Sequence, residues 1–215
     1  MKSVAVLLDG GYVEIQWRNQ LNRPAKAGNV LALAKACVRD EREELFRIFY
    51  YDCPPLKHIE KHPISGKEID FSTHPEALRR ARLQEELAQM DYVAYREGQL
   101  SFDGWEFSLA AKNRAVKALK SAKPFQLLPD DLKPNIKQKR VDMMIGLDIA
   151  WLASRRLVER LILVTADTDF IPAMKFARRE GVQVVLAPLS DGINAQLRVH
   201  ADEIRPIDMS GVAAA

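Results

Sequence analysis

The chain opens on an unbroken apolar run, Val4-Ala5-Val6-Leu7-Leu8, that stops at Asp9 and Gly10. Such a run, ended by a turn signal, predicts a strand buried on both faces, the pattern of a parallel sheet. Residues 29–41 carry apolar positions at helical spacing, and residues 45–52 form a second strand pattern rich in aromatics. The pattern then breaks. Residues 53–75 hold four prolines without a sustained period, which predicts a loop or an excursion over the surface. Residues 74–90 read as an amphipathic helix with Pro75 in its first turn, and residues 91–107 as a strand, a turn and a shorter strand. The C-terminal half alternates more cleanly. It gives a helix over 141–154, apolar on most sides, a strand over 161–165, and a helix over 169–180 closed by Gly181. A strand over 182–188, a short helix over 193–201 and an extended stretch over 203–207 follow, and residues 209–215 read as a frayed tail. Alternating strands and helices predict βαβ units, right-handed crossovers and an α/β fold around a mostly parallel sheet. No internal repeat is visible. Residues 1–208 read as a single domain with an insert at about 53–107 to which the pattern assigns no role.

Composition narrows the classes. With 215 residues, 47% hydrophobic and 28% charged, the chain has the make-up of a globular protein with one substantial core. No apolar run is long enough for a membrane helix, and Met1–Gly10 meets an aspartate too soon for a secretory signal, so a cytoplasmic location is expected. Cys37 and Cys53 lack metal-type spacing and read as thiols. The net charge of +3 says little, but its distribution says more. Nine basic residues lie between Lys112 and Arg140, opposed only by Asp130 and Asp131. That is the signature of a polyanion footprint, or of a solvated helix face followed by a polar linker.

The chemistry is carried by aspartates. Leu161-Ile-Leu-Val-Thr165 runs into Ala166, Asp167, Thr168 and Asp169. Asp9 ends the first strand in the same way. Ligands of open α/β sheets bind outside the carboxyl ends of the strands, so parallel strands bring these acids to one edge. Asp142 opens the 141–154 helix and would make a fourth carboxylate there. Four carboxylates in one pocket repel one another, and a hard divalent cation relieves this. Mg²⁺ takes oxygen ligands at about 2.1 Å and keeps several waters. Each acid also has a plain alternative. Asp167, Thr168 or Asp169 can cap the following helix, and Asp142 can serve the start of its own. Asp148 lies six residues beyond Asp142, about 120° away around a helix, so both cannot point squarely into one pocket. It reads as a rim or supporting residue, or as half of a structural ion pair.

Several blocks together resemble the NYN domain family, LabA-like branch, of the PIN-like nucleases: Val4–Tyr12 (VAVLLDGGY), 139–153 (KRVDMMIGLDIAWLA), 161–188 and 197–204. The resemblance spans residues 3–52 and 136–207 and includes the pattern K-x-V-D … (S/T)-x-D-x-D-F. It implies a PIN-like (Rossmann-like) three-layer α/β/α sandwich, an acidic site for Mg²⁺ or Mn²⁺, and a ribonuclease that hydrolyses phosphodiester bonds to a 5′-phosphate and a 3′-hydroxyl. Carried over by position, Asp9, Asp142, Asp167 and Asp169 match the family's acidic residues, and Asp148 matches a further acidic position. Two positions depart. Tyr12 stands where many members have Asn, and Ala166 replaces the usual Gly. Lys137, Lys139 and Arg140 just precede Asp142 and are expected to hold the RNA backbone, with Arg96 and Lys112 as further candidates. Tyr12, Phe102 and Trp105 stack on bases or pack in the core. Single-stranded RNA is the favoured partner, and a homodimer is compatible with this reading. The alternative is a catalytically silent domain that binds RNA or regulates a partner.

Other signals fall away. His58 and His62 are spaced i, i+4, but their Glu is misplaced for H-E-x-x-H and Pro63 follows at once. Ser65-Gly66-Lys67 lacks the leading Gly of a phosphate-binding loop. A haloacid-dehalogenase-type phosphatase needs a second Asp two residues after Asp9, where Gly11 stands, and a Toprim-type site expects Glu after its first strand.

Overall fold

The computed structural model describes residues 1–214. In chain order the elements are β1 (Lys2–Asp9), α1 (Gly10–Leu21), α2 (Ala27–Ala36), β2 (Glu43–Asp52), β3 (Ile59–Lys61), β4 (Glu68–Asp70), α3 (Pro75–Ala88), β5 (Val93–Glu97) and β6 (Gln99–Phe107). They continue with α4 (Leu109–Lys120), β7 (Leu132–Lys139), α5 (Val141–Ser154), β8 (Arg160–Val164), α6 (Ile171–Arg179), β9 (Gln183–Leu186), α7 (Ala195–His200), β10 (Glu203–Ile204) and α8 (Met209–Ala214). The chain divides into two compact units. Unit 1 holds residues 1–53, 82–98 and 140–215, and unit 2 holds 54–81 and 99–139.

Unit 1 is an α/β sandwich around a six-stranded sheet in the order β10-β9-β8-β1-β2-β5. Every pairing in it is parallel, with one register shift between Val4 and Ala5 against β2. Alternation along β1 explains the two covered faces. Val4, Val6 and Leu8 join Val13, Trp17, Val30 and Leu33 of α1 and α2, with Met209 and Val212 of α8, in one buried cluster. Ala5 and Leu7 point the other way and are equally buried, which is why the strand reads as an unbroken apolar run.

At the amino ends of the strands lies a buried ionic cluster. Glu43 begins β2 and is 3% exposed. Its carboxylate accepts from Arg205 Nη1 and Nη2 at 2.8 and 2.9 Å, from the Arg39 backbone N–H at 2.8 Å, and from Arg160. Burial alone would raise the Glu43 carboxyl; these hydrogen bonds outweigh it and hold the group at about 2. Cys37 and Cys53 are both free and buried, and burial pushes the Cys37 thiol up to about 12.

Several elements differ from the sequence expectation. Residues 10–21 form α1, which the pattern did not announce because the helix starts on two glycines. Gly10 is required there: a Cβ would stand 2.5 Å from the carbonyl oxygen of Tyr51. Residues 53–75 are not all loop. They contain the β3–β4 hairpin and a 3₁₀ turn at Phe71–Thr73 capped by Asp70. The second strand of 91–107 is the longer one, and β6 pairs antiparallel with β7 in a separate two-stranded sheet. Within the span 53–107, residues 82–98 belong to unit 1. Residues 209–214 are helical rather than frayed, because Met209 and Val212 are buried and Asp208 accepts from Ser210 N–H at 2.9 Å at the helix start. Ala215 lies outside the described residues.

Candidate active site

From β1 the chain runs outward one way through β2 and β5, and the other way through β8, β9 and β10. The direction reverses between β1 and β8, so the crevice at their carboxyl ends is the topological switch point where open α/β sheets bind ligands. Asp9 ends β1 there and Thr165 follows β8. Thr165, 4% exposed, ties the two strand ends together. Its hydroxyl donates to Asp9 Oδ2 at 3.3 Å and accepts the Asp167 N–H at 3.2 Å. Asp9 Oδ1 accepts the Tyr12 N–H at 3.2 Å and so caps α1. Asp167 Oδ1 accepts the Asp169 N–H at 2.9 Å and caps the 3₁₀ turn Thr168–Phe170 that leads into α6. Sequence reasoning gave Thr165 no role, although it occupies the Ser/Thr position of the pattern quoted above.

Asp142 sits in the first turn of α5, after Arg140 with φ 77°. The residue is exposed, and its carboxyl is raised by partial desolvation, then by the charges of Asp167 and Asp169. Asp9 is also raised, by burial first and in part by Asp142, against the lowering hydrogen bonds from Tyr12 and Thr165. These mutual effects link all four aspartates in one electrostatic group. Among the described residues none of the four has an ion-pair partner, and the Asp142 and Asp169 carboxylates accept no hydrogen bond. Hard oxygen donors, close enough to raise one another and uncompensated by any cation of the chain, suit a divalent metal of the Mg²⁺ or Mn²⁺ type. No three His, Cys, Asp or Glu side chains among the described residues stand in a closed ligand arrangement. The donor chemistry fits the ion; the side chains as they stand do not enclose it.

Asp148 is engaged elsewhere. Its Oδ2 accepts the Tyr51 hydroxyl at 2.9 Å and Arg96 Nε at 2.8 Å. The Arg96 guanidinium also lies over the Phe49 ring, 5.2 Å from its centroid. Asp148 thus joins α5 to β2 and β5 as half of an ion pair, and Arg96 is committed to it. Tyr12 does not offer its ring freely, since its hydroxyl accepts the Leu189 N–H at 3.0 Å. Burial and the charge of Asp148 keep the Tyr51 hydroxyl protonated far above its usual range.

The remaining candidates lie in unit 2, apart from Arg140. Lys137 pairs with Asp103 at 2.9 Å, and Lys139 donates to Ser101 Oγ at 3.0 Å. Lys112 is exposed on α4. Phe102 and Trp105 belong to an aromatic cluster with both histidines. His58 stacks on Phe102 at 4.9 Å, and His62 meets the Trp105 edge at 4.6 Å. His62 Nδ1 accepts the N–H groups of Ile64 and Ser65, so the His58/His62 pair is a packing and turn feature.

No protein of curated function matches the chain. Among solved structures, a protein of unknown function from Vibrio parahaemolyticus is similar at 17% identity and a TM-score of 0.48, covering 96% of this chain and 93% of that one. A chain from a structural study of the mechanism and regulation of Sir2 enzymes is similar at 10% identity and a TM-score of 0.39, covering 99% of this chain and 89% of that one. The family model described as NYN domain matches residues 3–208. No helix among the described residues is long and apolar enough to cross a membrane. With that match over nearly its whole length, the chain belongs to the NYN domain family of the PIN-like nuclease superfamily.

Proposed function

We propose that the chain is a metal-dependent endoribonuclease whose centre is Asp9, Asp142, Asp167 and Asp169. NYN domains are typically nucleases, which supports the reaction class. The observation that supports the site is the group of four electrostatically linked aspartates, without a cation partner among the described residues, at the switch point between β1 and β8. The four carboxylates would hold Mg²⁺ or Mn²⁺, which supplies Lewis-acid polarisation of a phosphodiester and a more acidic water at neutral pH. The chain's own contribution is orientation. Thr165 fixes Asp9 against the Asp167 loop, and the caps at Tyr12 and Asp169 set the direction of two carboxylates. Asp142 or Asp169, whose carboxylates accept no hydrogen bond among the described residues, would take a proton from the attacking water. Attack in line with the leaving 3′-oxygen gives a 5′-phosphate and a 3′-hydroxyl. RNA is the substrate we favour, single-stranded before double-stranded.

The test is cleavage of labelled single-stranded RNA, with DNA controls, in Mg²⁺ and in Mn²⁺, by wild type, Asp142→Asn and Asp167→Asn. Metal-dependent cutting by the wild type, lost in both variants, is expected. One observation favours a second reading: Tyr12, at the usual Asn position, is held by the Leu189 backbone. RNA binding without cleavage in either metal would make the domain a silent RNA-binding or regulatory module. Equal cutting by all three proteins would remove the aspartates from the mechanism.

A further inference from the structure

We propose that unit 2 carries a separate binding groove for single-stranded RNA at the C-terminal end of α4. The inference rests on the ribonuclease reading for its ligand class, but not on the aspartates.

Charge is segregated between the units. Unit 2 holds thirteen Lys and Arg against eight Asp and Glu, while unit 1 holds nineteen against twenty-one. Within unit 2 the last turns of α4 and the segment after it enclose a groove of about 400 Å³. It is lined by Arg114, Lys117, Ser121, Lys123, Phe125 and Leu128, among others, and no acidic residue lines it. Lys117 and Lys123 are exposed and, among the described residues, their side chains have neither ion pair nor hydrogen bond. Lys120 on the same helix end is equally exposed.

The wall is built rather than loose. Asp131 is 3% exposed, and its Oδ2 accepts Arg114 Nη2 and the Leu128 N–H, both at 2.8 Å. Arg114 also donates to the Gln126 carbonyl at 3.3 Å and lies over the Phe125 ring, 5.5 Å from its centroid. A buried carboxylate therefore fixes an arginine, and the arginine braces an aromatic ring beside two unpartnered lysines. The helix dipole explains why cations are tolerated at the end of α4. It does not explain an aligned ring with cations on its flank. That combination is the stacking platform and phosphate track of single-strand binding. A base would lie on Phe125, and neighbouring phosphates would reach Lys117 and Lys123. A duplex offers no unstacked base to the ring, and an acidic peptide has no use for it.

The test is fluorescence anisotropy with labelled single-stranded RNA in EDTA, where no metal-dependent cutting occurs. The proteins are wild type, the double variant Lys117→Glu/Lys123→Glu, and Phe125→Ala, each checked for an unchanged melting temperature. The double variant is expected to bind at least about tenfold more weakly and to show a smaller salt dependence, by roughly 1.4 in the log–log slope for two phosphate contacts. Phe125→Ala is expected to lose roughly tenfold without a change of slope. Unchanged affinity in both variants overturns the proposal. So does a poly-glutamate peptide that competes as well as RNA while Phe125→Ala has no effect. Cleavage in Mn²⁺ is read separately on the same proteins. RNA binding through the groove without cutting supports this inference and overturns the nuclease reading. Cutting with unaltered binding in the groove variants does the reverse.

Discussion

Replacing Glu43 with glutamine isolates the ionic cluster at the amino ends of the strands from the aspartates at the carboxyl ends. Glutamine has nearly the shape of a protonated glutamate, so the substitution approximates neutralising the group in place. The Glu43 carboxyl is held at about 2 against an ordinary value of 4.5. At about 1.4 kcal/mol per unit, that difference corresponds to roughly 3 kcal/mol of stability at pH 7. Arg205 stays behind at 6% exposure but keeps Glu203, whose carboxylate accepts its Nε at 3.0 Å, so the figure sits at the low end of the roughly 3–5 kcal/mol for breaking one partner out of a buried pair. For a chain of this length it lowers the melting temperature by about 6–12 °C.

The sign of the pH dependence follows from the lowered value. The contribution is complete above the unfolded value near 4.5 and is lost as pH falls toward 2. The gap between wild type and Glu43→Gln is therefore about 3 kcal/mol at pH 7 and shrinks to roughly 1 kcal/mol near pH 3. Urea unfolding followed by tryptophan fluorescence reads it, since Trp17 is fully buried in the same unit. A gap below about 1 kcal/mol at pH 7 would refute the reasoning, because the desolvation of Glu43 would then cancel its hydrogen bonds. A gap that stays constant from pH 7 to pH 3 would refute it equally.

Asp142→Asn should leave the metal-free protein as stable as wild type at pH 7 or more so: a raised carboxyl destabilises the fold as pH climbs through its folded value, and the amide removes that charge. In a thermal-shift experiment with Mn²⁺, wild type should gain about 3 kcal/mol at 100 times the Mn²⁺ dissociation constant, a gain the variant loses; equal gains would remove Asp142 from the site. Gly10→Ala forces a Cβ against the Tyr51 carbonyl oxygen at 2.5 Å and should cost about 1–3 kcal/mol in urea unfolding, so a loss under about 0.5 kcal/mol would show that α1 shifts freely. Tyr51→Phe leaves Asp148 with Arg96 alone and should cost about 1 kcal/mol, whereas Arg96→Met should cost more because it leaves the half-buried Asp148 charge without a cation; the reverse order in urea unfolding would refute the ion-pair reading of Asp148.

Apolar runs and aspartates at strand ends carried most of unit 1. Burial on both faces leaves its mark on every second and every intervening residue of β1, β8 and β9, so a continuous run is a direct record of a parallel sheet. Helix α1 was hidden because its start is set by a long-range contact between Gly10 and β2, which local pattern does not contain. Unit 2 was illegible for a related reason. Strands β6 and β7 are largely exposed or half-buried, and their pairing joins residues 99–107 to 132–139 across a helix. Asp9, Asp167 and Asp169 follow strand ends and are expected at one edge from topology, whereas Asp142 opens a helix and joins them only if that helix starts at the same edge. Thr165 and Tyr51 could not be assigned, because their roles rest on hydrogen bonds to residues 156 and 97 positions away.

Capping and metal binding looked like rival explanations of the aspartates, and the geometry makes them compatible. Asp9 and Asp167 each spend Oδ1 on a backbone N–H of the turn that follows. Asp167 Oδ2 accepts nothing among the described residues, and Asp9 Oδ2 accepts the Thr165 hydroxyl at 3.3 Å. A cap fixes the side-chain torsions, so the second oxygen is directed without further contacts. If capping were the whole role, one well-placed carboxylate per turn would suffice, and nothing would require Asp142 to add a charge that raises its own carboxyl and that of Asp9. Side-chain capping does not explain Asp142: α5 begins on Arg140 without a side-chain cap, and among the described residues the Asp142 carboxylate accepts no hydrogen bond, which leaves the dipole of the first turn as its one favourable partner. Asp142 is exposed, so repulsion from Asp9, Asp167 and Asp169 is a solvent-screened cost to the metal-free fold, and a bound cation would turn it into a gain.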